Sequence, residues 1–283
     1  MNAMTKDNKS RPQKNQSLLK LYLPRIILVI IILSAAAIRL HLLDVPMERD
    51  EGEYAYAGQL LLQGVPPYDQ VYNMKLPGIY VVYAVLMAVF GQTHTGVHLG
   101  LLVINAATVL FLFLLTKKLF TPFAGLVAAA SYALMSMGQP VQGIFANAEH
   151  FVMFFAISGL CLLVSAAGSG GWSALVASAI LLGAGFLTKQ HGAAFVVFGF
   201  LYLLISDFRS KQFRWPRIIT RGAVFLIGTA LPFGLTCLIL WKSGVFDKFW
   251  FWTFDYAREY VSAVPLSIGL SILKSNIISI EIL

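Results

Sequence analysis

Seven apolar runs separated by short polar connections constrain this chain more than any other feature. They lie at about 24–43, 96–115, 123–137, 151–166, 173–187, 192–205 and 223–241. Several fall a little short of the ~20 residues that cross a bilayer as a helix. The chain is 58% hydrophobic with a mean hydropathy of +0.75, more apolar surface than a soluble chain of 283 residues can bury. The expected fold is therefore all-α, a polytopic transmembrane helical bundle. Cys161 and Cys237 sit inside apolar runs and read as packing residues, not as a disulfide or metal pair. The formal charge of +8 comes from basic residues in the connections, which indicates membrane topology and not nucleic-acid binding.

An eighth apolar run, 76–90, decides that topology. If it crosses, Lys117, Lys118 and the basic connection 207–221 face away from the N-terminus. If it lies in the interface, they join the basic residues of the N-terminal segment, and thirteen of the 21 Lys and Arg residues share one side. The positive-inside rule prefers the second arrangement. Fifteen residues opened by Pro77-Gly78 also suit an interfacial or re-entrant helix. The reading is seven spans, a disordered basic cytoplasmic tail over 1–17, a membrane domain over 18–283, an external loop over 44–95 and a cytoplasmic loop over 207–221. Nearly all acids then fall outside, with Asp207 among the exceptions. Trp250 to Tyr256 form an aromatic belt at the outer face, and Arg39 and His41 snorkel outward from the end of the first span.

The external loop opens with Glu48-Arg49-Asp50-Glu51-Gly52-Glu53-Tyr54, five charges in six residues. Acids beside a bilayer need a partner or a task. The pattern predicts a short helix over 50–63, stopped by Gly64, with Asp50, Glu53 and Tyr54 on one face and Glu51 pointing elsewhere. A carboxylate at a helix N-terminus is held ionised, which suits a general base or a cation ligand and equally an acidic cap. Lys75, before the interfacial run, can pair with a phosphate or simply anchor at headgroup depth. Glu149 opens the fourth span and must face a cavity or partner. His150 beside it reads more readily as solvated. Lys189, in the turn between the fifth and sixth spans, is a second phosphate partner or an anchor. Arg258 and Glu259 receive no assignment.

As an ordered set, Asp50-Glu51-Gly52-Glu53-Tyr54, the stretch from Gly64 to Pro67, Asn73-x-Lys75-x-Pro77-Gly78 and Glu149 resemble the polytopic GT-C glycosyltransferases. The resemblance is to family 39, with its protein O-mannosyltransferases and lipid A aminoarabinose transferases, and it covers about residues 20–210. It implies a sugar donor carried on a polyprenyl phosphate, a lipid, glycan or protein acceptor, and a site open to the periplasm or exterior of the plasma (inner) membrane, with the N-terminus cytoplasmic. It implies Asp50, Glu51 and Glu149 as catalytic acids, Asp50 being the base. Lys75, Lys189, Tyr54, Arg49 and His150 are the implied substrate-binding residues. No cofactor is expected, although Asp50 with Glu149 could hold a divalent ion. Leu76 stands where the family often has proline. Family members run to about twice this length, so the sequence reads as a piece of a longer protein. A transporter or lipid flippase, or an assembly subunit, is the alternative function. Transporters place ionisable groups near the midplane, whereas here they collect at one face.

Overall fold

The computed structural model describes residues 11–169, 171–210, 213–262 and 265–281. Among the described residues it is helical throughout, with no strand. The long helices are α1 (Arg11–His41), α4 (His94–Leu119), α5 (Pro122–Met135), α6 (Ala148–Ser169), α7 (Trp172–Thr188), α8 (Ala193–Phe208) and α9 (Trp215–Lys242). Between α1 and α4 lie α2 (Arg49–Leu62) and α3 (Gly78–Phe90). After α9 come α10 (Phe246–Trp250), a π-helical turn over Phe251–Tyr256, α11 (Ala257–Ser262) and α12 (Leu266–Glu281). Residues 11–17, expected in a disordered tail, belong to α1, and residues 1–10 lie outside the described residues.

Local chemistry sets the helix ends. Thr93 accepts from Gly96 N at 3.0 Å and Thr121 from Ala124 N at 3.1 Å, each satisfying an orphan donor of the first turn, with Pro122 at the opening of α5. Gly64, at φ +82°, ends α2 with Gly64 N and Val65 N bonded back to Leu61 O and Leu60 O. The positive φ favours glycine there.

Among the described residues five segments are long and apolar enough to cross a membrane: Tyr22–His41, His94–Leu119, Ala148–Ser169, Gln190–Phe208 and Trp215–Lys242. α5 and α7, counted as spans from sequence, have only 14 and 17 residues. At ~1.5 Å per residue they reach ~21 and ~26 Å, short of a ~30 Å hydrocarbon layer. Seven sequence runs therefore become five full-length helices and two short ones. α5 stops early because the chain leaves it through a tight turn and a 3-10 turn at Gln139–Val141 before α6 begins.

The ends of α1 and α7 meet the starts of α4, α6 and α8 at one end of the bundle. There His98 of α4 contacts Leu43 O, Ala146 before α6 contacts Glu51, and Lys189 after α7 pairs with Glu149. α2 and α3 sit at this same end. Gly78, opening α3, lies directly against the backbone of Leu187 and Thr188, and Phe90, closing it, lies against Gly96. α3 thus starts and finishes at one end. It is enclosed more deeply than an interfacial helix would be: Ile79, Tyr80 and Tyr83 are fully buried, with Val81, Val85 and Val89 facing outward.

Three expectations about charge and aromatics change. Arg39 does not snorkel; it is 5% exposed and donates to Ser136 O at 3.0 Å and Gly143 O at 3.1 Å, carbonyls left over where α5 ends. His41 is exposed, its Nδ1 2.8 Å from Ala37 O. The connection expected over 207–221 is shorter, because α9 starts at Trp215 and carries Arg217 and Arg221. Arg221 is buried, its Nη1 3.2 Å from Asp207 Oδ1 and its Nη2 donating to Ala166 O at 3.1 Å. The aromatic belt is only partly a belt. Trp250, Phe251 and Tyr256 are exposed, whereas Phe249 is buried and Phe254 packs against the main core.

Small residues let the spans approach. A Cβ on Gly183 of α7 would collide with the Thr229 carbonyl of α9, and one on Gly228 would lie 2.7 Å from Ala179 Cβ. Close backbone approach of this kind replaces the hydrophobic driving force that helices lack in lipid. Gly183→Ala is expected to destabilise the bundle by about 1–3 kcal/mol, the usual range for overpacking. Gly234→Ala, where nothing lies within 4 Å of the added Cβ, is expected to leave the bundle at least as stable, since alanine suits a helix better. Thermal unfolding midpoints in one detergent compare the two; equal shifts would show that the crossing is not tight.

Candidate active site

Helix α2 begins with a capping box. Glu48 accepts from Glu51 N at 3.3 Å, and Glu51 Oε2 accepts from Glu48 N at 3.1 Å. The box fixes the first turn and sends Asp50 and Glu51 in different directions, as their helical spacing predicts.

Asp50 enters an open cluster. Its Oδ2 accepts from Lys75 Nζ at 2.7 Å, and its Oδ1 from Arg49 Nη2 at 3.1 Å. Lys75 Nζ also donates to the Tyr54 hydroxyl at 3.0 Å and sits 5.1 Å from that ring's centroid. Lys75 and Asp50 are 19% and 25% exposed, so solvent reaches both, while Arg49 is 92% exposed. Burial alone would raise the Asp50 carboxyl, but the hydrogen bond and charge of Lys75, followed by those of Arg49, hold it below the ordinary carboxylate range. Burial would likewise lower the Lys75 ammonium, yet Asp50 and Tyr54 carry it upward. Burial pushes the Tyr54 hydroxyl up to about 12, against the pull of Lys75. The cluster is thus a carboxylate and an ammonium in direct contact, with a neutral phenol beside them.

The segment carrying Lys75 is held on several sides. Glu53 accepts from Asn73 Nδ2 at 2.6 Å and from the Tyr80 hydroxyl at 3.0 Å. The Tyr68 hydroxyl donates to Lys75 O at 2.7 Å, and Gln190 Nε2 to Met74 O at 2.9 Å. Tyr68, which follows Pro67, takes a positive φ of 68° with its ring fully buried against Phe249. Such a conformation is strained for a residue with a Cβ and persists only where the surroundings impose it.

Glu149 forms a second ion pair, with Lys189. The two pairs are not in contact with each other, but Gln190, next to Lys189, reaches the backbone next to Lys75. His150 is buried and lines, with Glu149, Asn147, Ser136 and Tyr132, a cleft of about 460 Å³ between α5 and α6. It is neither solvated nor part of the Asp50 cluster. Glu51, expected among the catalytic acids, is fully buried and turned away from Asp50. Its Oε1 meets His98 Nε2 at 3.0 Å and Ala146 N at 2.5 Å. Among the described residues no three His, Cys, Asp or Glu side chains converge as a metal-ligand set, and Asp50 and Glu149 each face a lysine.

Sequence reasoning missed His98, Tyr68, Tyr80 and Tyr83, and it turned Arg39 outward instead of inward. His98 is an ionisable residue near the start of an apolar run, the signal that marks a buried polar contact in a membrane protein. The Tyr80 and Tyr83 hydroxyls carry no such signal, because their partners Glu53 and Ala146 O lie 27 and 63 residues away.

The sequence profile of the family described as dolichyl-phosphate-mannose-protein mannosyltransferase matches residues 75–234, more than half of the chain. The chain is also similar to the undecaprenyl phosphate-alpha-4-amino-4-deoxy-L-arabinose arabinosyl transferase of Pseudomonas aeruginosa strain UCBPP-PA14, 28% identical over 217 residues. It resembles the same enzyme of Pseudomonas paraeruginosa strain DSM 24068 / PA7, 27% identical over 220 residues. Each alignment covers 72% of this chain and 38% of the relative, so the chain spans well under half the length of these relatives. No solved structure matches it. The match begins at Lys75 itself and runs through α3 to α9, and on it the chain belongs to the dolichyl-phosphate-mannose-protein mannosyltransferase family.

Proposed function

We propose that this chain carries the membrane-embedded active site of an inverting glycosyltransferase, which moves a sugar from a polyprenyl-phosphate carrier to a hydroxyl acceptor. The observation that carries the reading is the half-buried triad of Asp50, Lys75 and Tyr54. It places a carboxylate and an ammonium side by side on the family's matched segment and the helix before it. The glycosyltransferase names of the relatives support the reaction class.

In this reading Asp50 is the base. The acceptor oxygen forms a bond to the anomeric carbon of the sugar as that carbon's bond to the phosphate oxygen breaks. The acceptor's proton passes to Asp50, and the lipid phosphate leaves with the electron pair, its charge met by Lys75. A phosphate at Lys75 competes with Asp50 for the ammonium. Donor binding therefore releases Asp50 from the group that holds its affinity for protons down, and makes it a stronger base when the acceptor arrives. Glu149 and Lys189 hold sugar or acceptor beside this cluster, and Arg49 and Tyr54 complete the pocket around the phosphate. We assign no resident metal, since the lysines supply the positive charge. The acceptor is a lipid, a glycan or a protein.

The protein sits in the plasma (inner) membrane with this end external and the N-terminus cytoplasmic. Supporting that orientation, Lys117, Lys118, Arg209, Arg214 and Arg217 all lie at the opposite ends of α4, α8 and α9. A transporter or flippase gains no support from the geometry, because the paired acids sit at the two ends, all but Asp207 at one of them, and not along a path between.

Asp50→Asn is expected to lower transfer by about 10²–10⁴-fold, the usual contribution of a general base, while the protein still binds donor. In native mass spectrometry of protein from its own membranes, the wild type is expected to carry polyprenyl phosphate or its phosphosugar, and Lys75→Ala to lose it. Retained turnover in Asp50→Asn, or equal lipid in both proteins, would overturn the assignments.

The pH dependence has a definite sign. Asp50 must be ionised to act, so activity is lost as pH falls through its depressed pKa, below the ordinary ~3.9. In Lys75→Met the raising effect of burial is opposed only by Arg49. The acidic limb of the pH–rate profile should then move toward neutral pH; a limb that stays in place would separate Asp50 from the chemistry.

A further inference from the structure

Glu51 is the most completely enclosed acid of the site, and its ion-pair partner is a histidine and not a lysine or arginine. Three groups contact its carboxylate. Glu48 N donates to Oε2 at 3.1 Å, and Ala146 N donates to Oε1 at 2.5 Å. His98 Nε2 lies 3.0 Å from Oε1. The Tyr83 hydroxyl donates to Ala146 O at 2.8 Å and so holds the same residue through its carbonyl.

The hydrogen-bond inventory of His98 fixes the chemistry of the contact. Its Nδ1 faces Leu43 O at 3.1 Å, and a carbonyl can only accept, so Nδ1 carries a proton. Its Nε2 faces a carboxylate oxygen, so one further proton lies between Nε2 and Oε1. With that proton on Nε2 the contact is a charge-assisted hydrogen bond, and both side chains are buried.

We infer that the Glu51–His98 pair is a positioning latch that sets Asp50 against Glu149, and that Glu51 is not itself a proton-transfer group. The two acids are neighbours in sequence but diverge on α2. With Glu51 anchored on three sides, the rotation of the first turn is fixed and Asp50 can point only at Lys75. The other arm of the latch, Ala146, lies three residues before Glu149. A single carboxylate therefore sets the spacing between the start of α2 and the start of α6. Arg39 steadies the same connection from below by holding Ser136 O and Gly143 O. The inference rests on the reading of Asp50 as the base, but the latch itself is a statement about geometry and can be tested without turnover.

Two variants and two measurements decide it. In Glu51→Ala the protein, studied in its own lipid, is expected to lose about 100-fold in kcat, as befits a displacement of the base by ~1 Å, with the donor KM within about threefold because Lys75 is untouched. Amide exchange over 143–148 should rise by about tenfold or more in the same variant, as a local opening that Asp50→Asn does not produce. Glu51→Gln keeps an oxygen acceptor of the same reach and removes the ionisable group. It is expected to recover about tenfold in kcat over Glu51→Ala, because hydrogen bonding and not proton transfer is what the site needs. Unchanged exchange over 143–148 in Glu51→Ala would overturn the latch, whether or not the protein transfers sugar. A Glu51→Gln protein as inactive as Glu51→Ala but with wild-type exchange would also overturn it, by making Glu51 a proton carrier. If the wild type turns over no polyprenyl phosphosugar, the glycosyltransferase reading fails, and the exchange comparison still decides the latch.

Discussion

An ionised side chain beside hydrocarbon is costly unless a specific partner meets it, and here that requirement organises the fold. Asp50 meets Lys75, Glu51 meets His98, Glu149 meets Lys189 and Asp69 meets Lys248 at one end; Asp207 meets Arg221 at the other. Except for Asp207 and Arg221, which join consecutive helices, the partners come from separated parts of the chain. Each pair therefore does topological work. Lys248 carries the segment after α9 to the loop after α2, and Lys189 brings the turn after α7 to the start of α6. An apolar bundle alone would leave these connections free to slide. The enclosed pairs, Asp50 with Lys75 and Glu51 with His98, set the arrangement most strongly, whereas Lys248–Asp69 and Lys189–Glu149 are more exposed and add less.

The tyrosines convert this polar end into something continuous with the core. Tyr54, Tyr68, Tyr80 and Tyr83 are all buried, and their rings pack together, with Tyr54 and Tyr83 5.3 Å apart edge to face. Every hydroxyl reaches a polar partner: Asp50, Lys75 O, Glu53 and Ala146 O respectively. A ring that packs as an apolar body and ends in a donor lets one side chain serve both layers. A phenylalanine at any of the four would keep the packing and leave a buried acceptor short of a donor. The core cluster at this end is consequently the stiff platform on which the open pair, Asp50 and Lys75, is displayed.

How much of this was legible in the sequence depends on the range of the interaction involved. Helix α2, its stop at Gly64 and the divergence of Asp50 and Glu51 follow from spacing within a few residues, and the structure has them within a residue of the expected bounds. The apolar runs marked the helices well, but run length overstated α5 and α7, because hydropathy does not register where a turn cuts a helix short. Arg39 at the end of an apolar run has the signature of a snorkelling residue. Only the carbonyls of Ser136 and Gly143, about a hundred positions away, turn it inward. Glu51 shows the same limit at the site. Its place in an acidic string suggested chemistry, whereas its burial comes from His98 and Ala146, which no local pattern connects to it. Lys75, by contrast, was recognisable as an ordered motif, and what spacing could not show was that its resting partner is Asp50.

That resting partner changes what the site can do. A lone lysine at headgroup depth would attract any phosphate, including those of bulk phospholipid, which vastly outnumber a carrier lipid. Lys75 is instead neutralised by Asp50 and shares its charge with the Tyr54 ring and hydroxyl. A phosphate must displace a carboxylate to reach it, so it gains only the difference between two ion pairs. Weak net attraction is then decided by whatever else the ligand contacts, and under the proposed function a sugar held by Glu149 and Lys189 would supply contacts that a phospholipid headgroup lacks. Specificity for a glycosylated carrier can thus arise from a charge pair that discourages everything else. In the glycosyltransferase proposed here, the same displacement would free the carboxylate once a donor is in place, and that coupling of occupancy to basicity would need no moving domain, only one short ion pair between α2 and the strap before α3.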